Sequence, residues 1–217
     1  MYQSNFAIQV QEHPNRYPNI RHKTNMAYWL VSDCITENRR EDYVKELQKY
    51  INIDIFGNCV NRTFPRSREQ EQIELMKKYK FYISFENSIC NEYVTEKLYH
   101  HIGRGIVPIV MGGAKYQKIL PQYSYLNVND FKSPKELADY LLYLDRNDEK
   151  YLEYFEWTKS VNYYVRMAFC AMCKKLHNPS LPMQYYSNIT DWWIHDKKHN
   201  LDCENSLRPN YKRNKRK

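Results

Sequence analysis

Side chains that can bind a phosphorylated nucleotide are concentrated between residues 85 and 98. The run FENS at 85–88 supplies Glu86 and Asn87, and the run YVTEKL at 93–98 supplies Tyr93, Glu96 and Lys97. A lysine ammonium can pair with a phosphate, and a carboxylate can accept hydrogen bonds from ribose hydroxyls. The chain has only 5 glycines, so a glycine-rich phosphate loop is not its main binding device.

The neighbouring residues predict how this polar cluster is positioned. Residues 80–85 (KFYISF) have the composition of a buried strand, and a helix is predicted from about 93 to 102. Glu86 and Asn87 would then leave the carboxyl end of the strand, and the helix N-terminus would offer free N–H groups to a phosphate. An ordinary surface helix after a polar strand end fits the spacing equally well, so both interpretations stay open.

Strand-like and helix-like segments alternate along the chain. The strands are apolar throughout, which is typical of a parallel sheet with both faces covered. The sequence therefore predicts an α/β fold whose ligands bind beyond the carboxyl ends of the strands. Predicted strands cover residues 27–32, 53–56, 80–85, 106–111 and 125–128, and predicted helices cover 39–51, 69–79, 93–102, a segment capped by Ser133, and 149–176.

The net charge of +8 belongs mostly to the C-terminus. Residues 208–217 (RPNYKRNKRK) contain six basic side chains, and 27 basic and 25 acidic residues remain elsewhere. A solvated tail is the simpler interpretation, with attraction to nucleic acid or a membrane surface as the alternative. The rest of the chain lacks the excess of basic residues that is typical of a nucleic-acid-binding protein. The sequence also contains no run of about 18 apolar residues, which is the length that a membrane-spanning helix needs.

Six cysteines and two glycosylation sequons bear on the cellular compartment. The sequons begin at Asn61 and Asn188. Together they permit a secretory-pathway protein, and six buried thiols in a cytosolic protein are the alternative. A zinc site is a further alternative, because Cys170, Cys173 and His177 could combine with His195, His199 or Cys203, although the spacing is not a standard one.

Three segments, in order, resemble the α1,3-fucosyltransferases of glycosyltransferase family 10. Residues 79–113 (YKFYISFENSICNEYVTEKLYHHIGRGIVPIVMGG) are similar to the donor motif of that family. Residues 29–59 and 120–157 resemble the opening and the continuation of the same domain. The resemblance implies a Rossmann-like doubly wound parallel sheet, the C-terminal half of a GT-B-type glycosyltransferase.

The resemblance also implies a reaction and a set of site residues. L-fucose would pass from GDP-fucose to an N-acetylglucosamine of a glycan in α1,3 linkage, with inversion. Arg40 and Lys97 would stabilise the leaving diphosphate. Glu96 would bind the ribose, and Asn87, Tyr93 and Thr95 would complete the donor pocket with Glu86 in support. No metal is implied in donor binding, although a divalent cation could stimulate the rate, and no residue is assigned as a metal ligand.

Four divisions of the chain are expected from this comparison. Residues 1–26 form a lead-in, 27–176 the GDP-fucose-binding domain, 177–207 an aromatic extension and 208–217 the basic tail. The acceptor domain that carries the general base, and an N-terminal membrane anchor, are expected to be missing. A truncated or degenerate copy that binds GDP-fucose without transfer is therefore the alternative function.

Two further expectations follow from the family resemblance. The family acts on the lumenal side of the Golgi membrane. Cys34 and Cys90 stand where members often carry cysteines, which suggests that these two cysteines pair.

Overall fold

A computed structural model describes residues 18–60, 69–159, 168–182, 185, 187–188 and 203–204. Five parallel strands form the central sheet in the spatial order β2-β1-β3-β5-β6, and two very short strands form a separate antiparallel pair, β4 with β7. The strands are β1 Asn25–Leu30, β2 Ile53–Phe56, β3 Tyr79–Phe85, β4 Ile89–Cys90, β5 Val107–Met111, β6 Leu126–Asn127 and β7 Cys203–Glu204.

Helices alternate with the strands, as the apolar pattern predicts. The α-helices are α1 Arg40–Leu47, α2 Glu69–Lys77, α3 Glu96–Tyr99, α4 Pro134–Arg146, α5 Asp148–Glu153 and α6 Ala168–Leu176. Short 3-10 helices lie at Ile20–His22, Tyr116–Lys118, Val128–Asp130 and Glu156–Lys159. This arrangement confirms the predicted α/β fold with a parallel sheet.

The direction in which successive strands are added to the sheet reverses between β1 and β3, although all these strands run parallel. From β1 the chain first adds β2 on one side and then adds β3 and β5 on the other. Parallel pairing sets Tyr28 beside Tyr82 and Ser84 beside Val110. In open sheets of this kind ligands bind at the carboxyl ends of the strands where the order reverses. That place lies between the ends of β1 and β3.

Both faces of the sheet are buried, which explains why the strands read as continuous apolar runs. Phe81, Ile83 and Phe85 of β3 lie in one core cluster with residues of α1 and α4. Tyr82, between them in sequence, packs on the opposite face with Tyr28. Every residue of β3 and β5 is buried. The rigid centre of the sheet therefore supports the loops at its carboxyl edge.

Helix α4 begins where the sequence predicts. Ser133 Oγ accepts a hydrogen bond from Glu136 N at 3.2 Å, and Pro134 occupies the first helical position. Glu136 Oε2 reaches back and accepts from Lys132 N at 2.6 Å. These contacts satisfy N–H groups that have no partner within the helix.

Helices α1 and α2 end four and two residues before their predicted ends, and two further predicted helices differ more from the structure. The segment predicted as 93–102 contains only the single turn of α3, because Thr95 is still extended at φ −114°. The segment predicted as 149–176 contains α5 and α6 as separate helices. The helical spacing of apolar residues continues past the ends of α3 and α5, because Ile102 after α3 and Phe155 after α5 are also buried in the core.

The disulfide expected between Cys34 and Cys90 is wrong. Cys34 is bonded to Cys59, with their Cα atoms 5.2 Å apart. These cysteines follow β1 and β2, which are neighbouring parallel strands, so both lie at the same edge of the sheet. Cys90 lies in β4, where it stands opposite Cys203 and is itself disulfide-bonded.

Candidate functional site

Glu86 is a buried carboxylate at the carboxyl end of β3. Its side chain is 1% exposed, and its backbone N–H donates to Met111 O at 2.9 Å. Oε1 accepts from Thr95 N at 2.8 Å and from Thr95 Oγ1 at 3.0 Å. A buried carboxylate is tolerated only when such donors and a nearby cation replace water. Glu86 therefore holds the start of α3 against the end of β3.

Lys97 supplies that cation. Its ammonium lies 3.3 Å from Glu86 Oε2 and donates to Thr95 Oγ1 at 2.8 Å. Glu96 Oε1 lies 3.5 Å away. The Lys97 side chain is 23% exposed, so one side of the ammonium can meet a ligand while the other is held by the protein. The predicted Glu86, Thr95 and Lys97 are thus brought together.

Tyr93 and Asn87 lie beside this group, both half-buried. The Tyr93 hydroxyl donates to Asn87 Oδ1 at 3.1 Å. Burial, and secondarily the Glu86 carboxylate, raise the pKa of Tyr93. The phenol therefore stays protonated at neutral pH and can act as a hydrogen-bond donor.

Arg40 reaches the same edge from α1 but is buried beneath it, at 3% exposure. One guanidinium nitrogen donates to Phe85 O at 2.7 Å and another to Asp33 O at 3.2 Å. The guanidinium also lies 5.6 Å from the centre of the Trp29 ring. Arg40 therefore joins the end of β3 to the segment after β1, and its positive charge lies behind the site.

Asn38 is a site residue that the sequence analysis missed. It is fully buried, its Nδ2 donates to Glu86 O at 2.7 Å, and its Oδ1 accepts from Thr36 Oγ1 at 2.7 Å. Asn38 and Arg40 thus hold the consecutive carbonyls of Glu86 and Phe85. A single asparagine in a polar loop gives no sequence signal for a contact 48 residues away.

The arrangement favours an anionic ligand with hydroxyl groups. Lys97 offers a partly exposed positive charge at the point where strand order reverses, and Glu96, 64% exposed, can accept hydrogen bonds from hydroxyls. Because α3 has only one turn, its dipole adds little beyond the lysine charge. The groups that this end of the sheet offers to a ligand are therefore side chains.

No group of three or more His, Cys, Asp or Glu side chains suited to a metal occurs within the described part of the chain. Cys173 Sγ lies 3.6 Å from His177 Nδ1, both exposed. His195 and His199, two of the three alternative further ligands in the zinc hypothesis, lie outside the described residues.

The remaining sequence-based expectations concern the surface and the membrane. Asn188 is exposed, whereas Asn61 and the basic tail at 208–217 lie outside the described residues. Of the helices in the described ranges, none is long and apolar enough to cross a membrane.

Comparison with known proteins identifies a family. Residues 20–192 match the family described as "Glycosyltransferase family 10 (fucosyltransferase) C-term". "Glycoprotein 3-alpha-L-fucosyltransferase A" of Drosophila melanogaster is 40% identical over 192 residues, which are 86% of this chain and 38% of the relative. "Alpha-(1,3)-fucosyltransferase C" of the same organism is 38% identical over 174 residues, covering 79% of this chain and 41% of the relative. The chain thus spans about two fifths of the length of each.

A solved structure supports the fold. The crystal structure of an alpha1,3-fucosyltransferase with GDP-fucose superimposes with a TM-score of 0.56 at 24% identity, covering 76% of this chain and 51% of the other. The shared fold is that of an α/β domain with a parallel sheet. The family resemblance and the fold class inferred from the sequence are confirmed by these matches.

Proposed function

The chain belongs to glycosyltransferase family 10, the fucosyltransferases, and on that premise we propose that it binds GDP-fucose and serves the transfer of L-fucose to a glycan. The observation that carries the proposal is the Lys97 ammonium, held by Glu86 and Thr95 at the point where the strand order reverses. A nucleoside diphosphate sugar carries the negative charge and the ribose hydroxyls that this group of side chains suits.

The residue roles that we propose are those implied by the family resemblance, and the geometry of the site supports them. Lys97 pairs with the diphosphate, and Glu96 accepts from the ribose hydroxyls. Tyr93 and Asn87 flank the sugar nucleotide as a pair, in which the protonated Tyr93 phenol donates to Asn87 Oδ1. Arg40 contributes its charge from behind the strand ends and holds the loop after β1 in place.

The proposed chemistry is a displacement with inversion at the anomeric carbon. The acceptor hydroxyl oxygen forms the new bond, the bond to GDP breaks, and a base takes the hydroxyl proton. Negative charge grows on the departing diphosphate in the transition state. A fixed ammonium stabilises that charge more than it stabilises the intact donor, so Lys97 lowers the barrier.

The wider setting is proposed from the relatives. An N-acetylglucosamine of a glycoprotein or glycolipid glycan, joined in α1,3 linkage, is the proposed acceptor. The lumenal side of the Golgi membrane is the proposed location. Donor binding is proposed to need no metal.

Calorimetric titration with GDP-fucose and with GDP, without metal, tests donor binding. Lys97→Ala should weaken both at least about tenfold, a loss of about 1.4 kcal/mol, because the diphosphate loses its closest cation. Lys150→Ala is the matched control, since Lys150 is an exposed helical lysine that pairs with Glu153 at 2.6 Å. Lys150 is also remote from the proposed site. Its helix α5 begins at Asp148, and Asp148 Oδ1 lies 3.6 Å from the ammonium of Lys80, which is at the end of β3 opposite to Glu86.

Unchanged affinity for GDP-fucose and GDP in Lys97→Ala would show that Lys97 does not take part in binding them. A folded wild-type chain that binds neither ligand would refute donor binding by this chain. A loss in Lys150→Ala equal to that in Lys97→Ala would indicate a nonspecific charge effect instead of a site.

A further inference from the structure

The carbonyl of Lys97 is left out of the backbone hydrogen bonds of its own helix. His100 N donates to Glu96 O, while His101 N and Ile102 N both donate to Leu98 O. Among the described residues, no backbone N–H therefore donates to Lys97 O. The imidazole of His101 fills the gap, with Nδ1 at 2.8 Å from that oxygen. The last carbonyls of any helix need partners from outside the helix, and here a side chain supplies one.

The His101 ring is fixed by its surroundings. It is 3% exposed and stacks on Tyr82, with ring centres 3.4 Å apart and planes 10° apart. Tyr28 covers it at 5.8 Å. A flat ring held between aromatic side chains cannot turn freely, so the direction of its Nδ1 is set by the sheet.

The protonation state of His101 follows from burial. Burial lowers the pKa of His101 to about 3, against a raising effect of the Lys97 carbonyl, and the neighbouring His100 and Arg104 lower it further. The ring is therefore neutral and has one N–H. A carbonyl oxygen can only accept, so that proton is on Nδ1. With the single proton on Nδ1, Nε2 is the unprotonated nitrogen; it is buried and has no hydrogen-bond partner among the residues that the structure describes.

We infer that His101 is a positioning residue for the donor site: its Nδ1–H holds the Lys97 carbonyl and so fixes the turn that aims the Lys97 ammonium. The inference rests on the proposed role of Lys97 in donor binding. His101 does not touch the donor and acts through Lys97 alone. It links Lys97 to Tyr82 in the buried face of β3, while Glu86 and Thr95 hold the other end of the same lysine.

Holding both ends of Lys97 matters because its charge has to meet a diphosphate at a fixed place. Errors of about 1 Å in the placement of a charged group can reduce function by as much as about 100-fold. With α3 only one turn long, few backbone bonds resist such a shift. The imidazole contact therefore adds a restraint on the Lys97 backbone to the few bonds of this turn.

Two substitutions in the full chain separate the ring from its hydrogen bond. His101→Phe keeps a flat ring on Tyr82 and removes the donor. His101→Asn removes the ring and keeps an N–H near the position of Nδ1. We expect His101→Phe to weaken GDP binding about tenfold and His101→Asn to recover most of that loss. Urea unfolding of each variant shows that the chains compared are folded.

A double substitution distinguishes an effect of His101 through Lys97 from a general structural effect on GDP binding. His101→Phe in the Lys97→Ala chain should cause no further loss of GDP affinity, because His101 acts only through Lys97. An equal loss in both backgrounds would overturn the inference, as would wild-type affinity in His101→Phe while Lys97→Ala is weak. Failure of the folded wild-type chain to bind GDP would instead refute the proposed function.

Histidine side-chain NMR tests the contact itself without any nucleotide. Long-range ¹⁵N–¹H spectra of the wild-type chain, assigned by the signal lost in His101→Asn, should show a neutral ring protonated on Nδ1 from pH 5 to pH 8. A ring protonated on Nε2, or one that titrates within that range, would overturn the inference whether or not GDP binds.

Discussion

The carboxylate of Glu86 is almost inaccessible to water, so hydrogen-bond donors and a cation from the protein have to replace its hydration. Both carboxylate oxygens accept from Thr95, and Lys97 lies 3.3 Å from one of them. We expect Glu86→Gln to destabilise the fold by about 2–3 kcal/mol. Its amide NH₂ would face the donors of Thr95, and the partly buried Lys97 ammonium would lose the negative charge that it pairs with. Urea unfolding measures this, and donor affinity should fall in the same variant.

Glu153→Gln is the control for that substitution. Glu153 is also paired with a lysine, Lys150, but is 54% exposed, and exposed pairs contribute at most about 1 kcal/mol. If the two variants lost equal stability, the buried carboxylate would have no special part in the fold. If Glu86→Gln bound GDP like the wild type, Glu86 would not support the donor site.

The sequence predicts some of these groups and misses others for a physical reason. Glu86, Thr95 and Lys97 lie within twelve residues, so a strand followed by a short turn is enough to bring them together. Asn38 acts through a contact 48 residues away, and the burial of His101 depends on its packing against Tyr82 and Tyr28 in the assembled sheet. His101 in particular is one of two adjacent histidines, and only the fold shows that it is the buried one while His100 is exposed.

The segment that follows β5 packs directly on β4, and Gly113 makes that approach possible. A Cβ at Gly113 would lie 2.5 Å from the carbonyl carbon of Cys90 and 3.0 Å from its nitrogen. Backbone atoms held in the β4–β7 pair cannot move aside easily. We expect Gly113→Ala to destabilise the fold by roughly 3 kcal/mol, the upper end of what overpacking costs, as measured by urea unfolding.

Gly112→Ala is the matched comparison, since its Cβ would meet the hydroxyl of Tyr116, the far end of a side chain. A side-chain tip can shift where a strand backbone cannot, so the loss should be smaller. Equal losses in the two variants would show that β4 yields as readily as Tyr116, and would contradict a rigid contact between β4 and β5.

Prediction of the strands succeeds here for those of four or more residues. β2 is found at the predicted residues, β3 begins one residue before its prediction and β5 one residue after. β4 and β7 have two residues each, and their pairing joins positions more than one hundred residues apart. No local pattern marks such a pair, because each strand has only two residues and its partner is distant in the sequence.

The two edges of the sheet have different electrostatics. The carboxyl edge carries the proposed donor site, while two lysines are buried at the start of β3. Lys80 pairs with Asp145 at 3.0 Å. Lys23 instead donates to the neutral carbonyl of Tyr79 at 2.7 Å and is 7% exposed. Burial first, and the charge of Lys80 second, lower the pKa of Lys23 from 10.5 to about 7.

This shift makes the stability of the whole fold depend on pH in a stated direction. Between pH 7 and pH 10.5 the unfolded chain binds one proton more at Lys23 than the folded chain does. The free energy of unfolding therefore rises with pH in that window, by at most about 1.4 kcal/mol per pH unit. Below pH 7 both states are protonated and the cost of burying the charge is complete.

Lys23→Met and Lys23→Arg together isolate this effect in urea unfolding between pH 6 and pH 9.5. Lys23→Met has no charge to bury, so the wild type should gain stability relative to it as the pH rises. Arginine stays charged throughout, so Lys23→Arg should show no such gain. Parallel curves for all three chains would mean that Lys23 keeps its proton when buried. Because Lys23 lies at the edge opposite Lys97, GDP affinity at pH 7 should be equal in wild type and Lys23→Met.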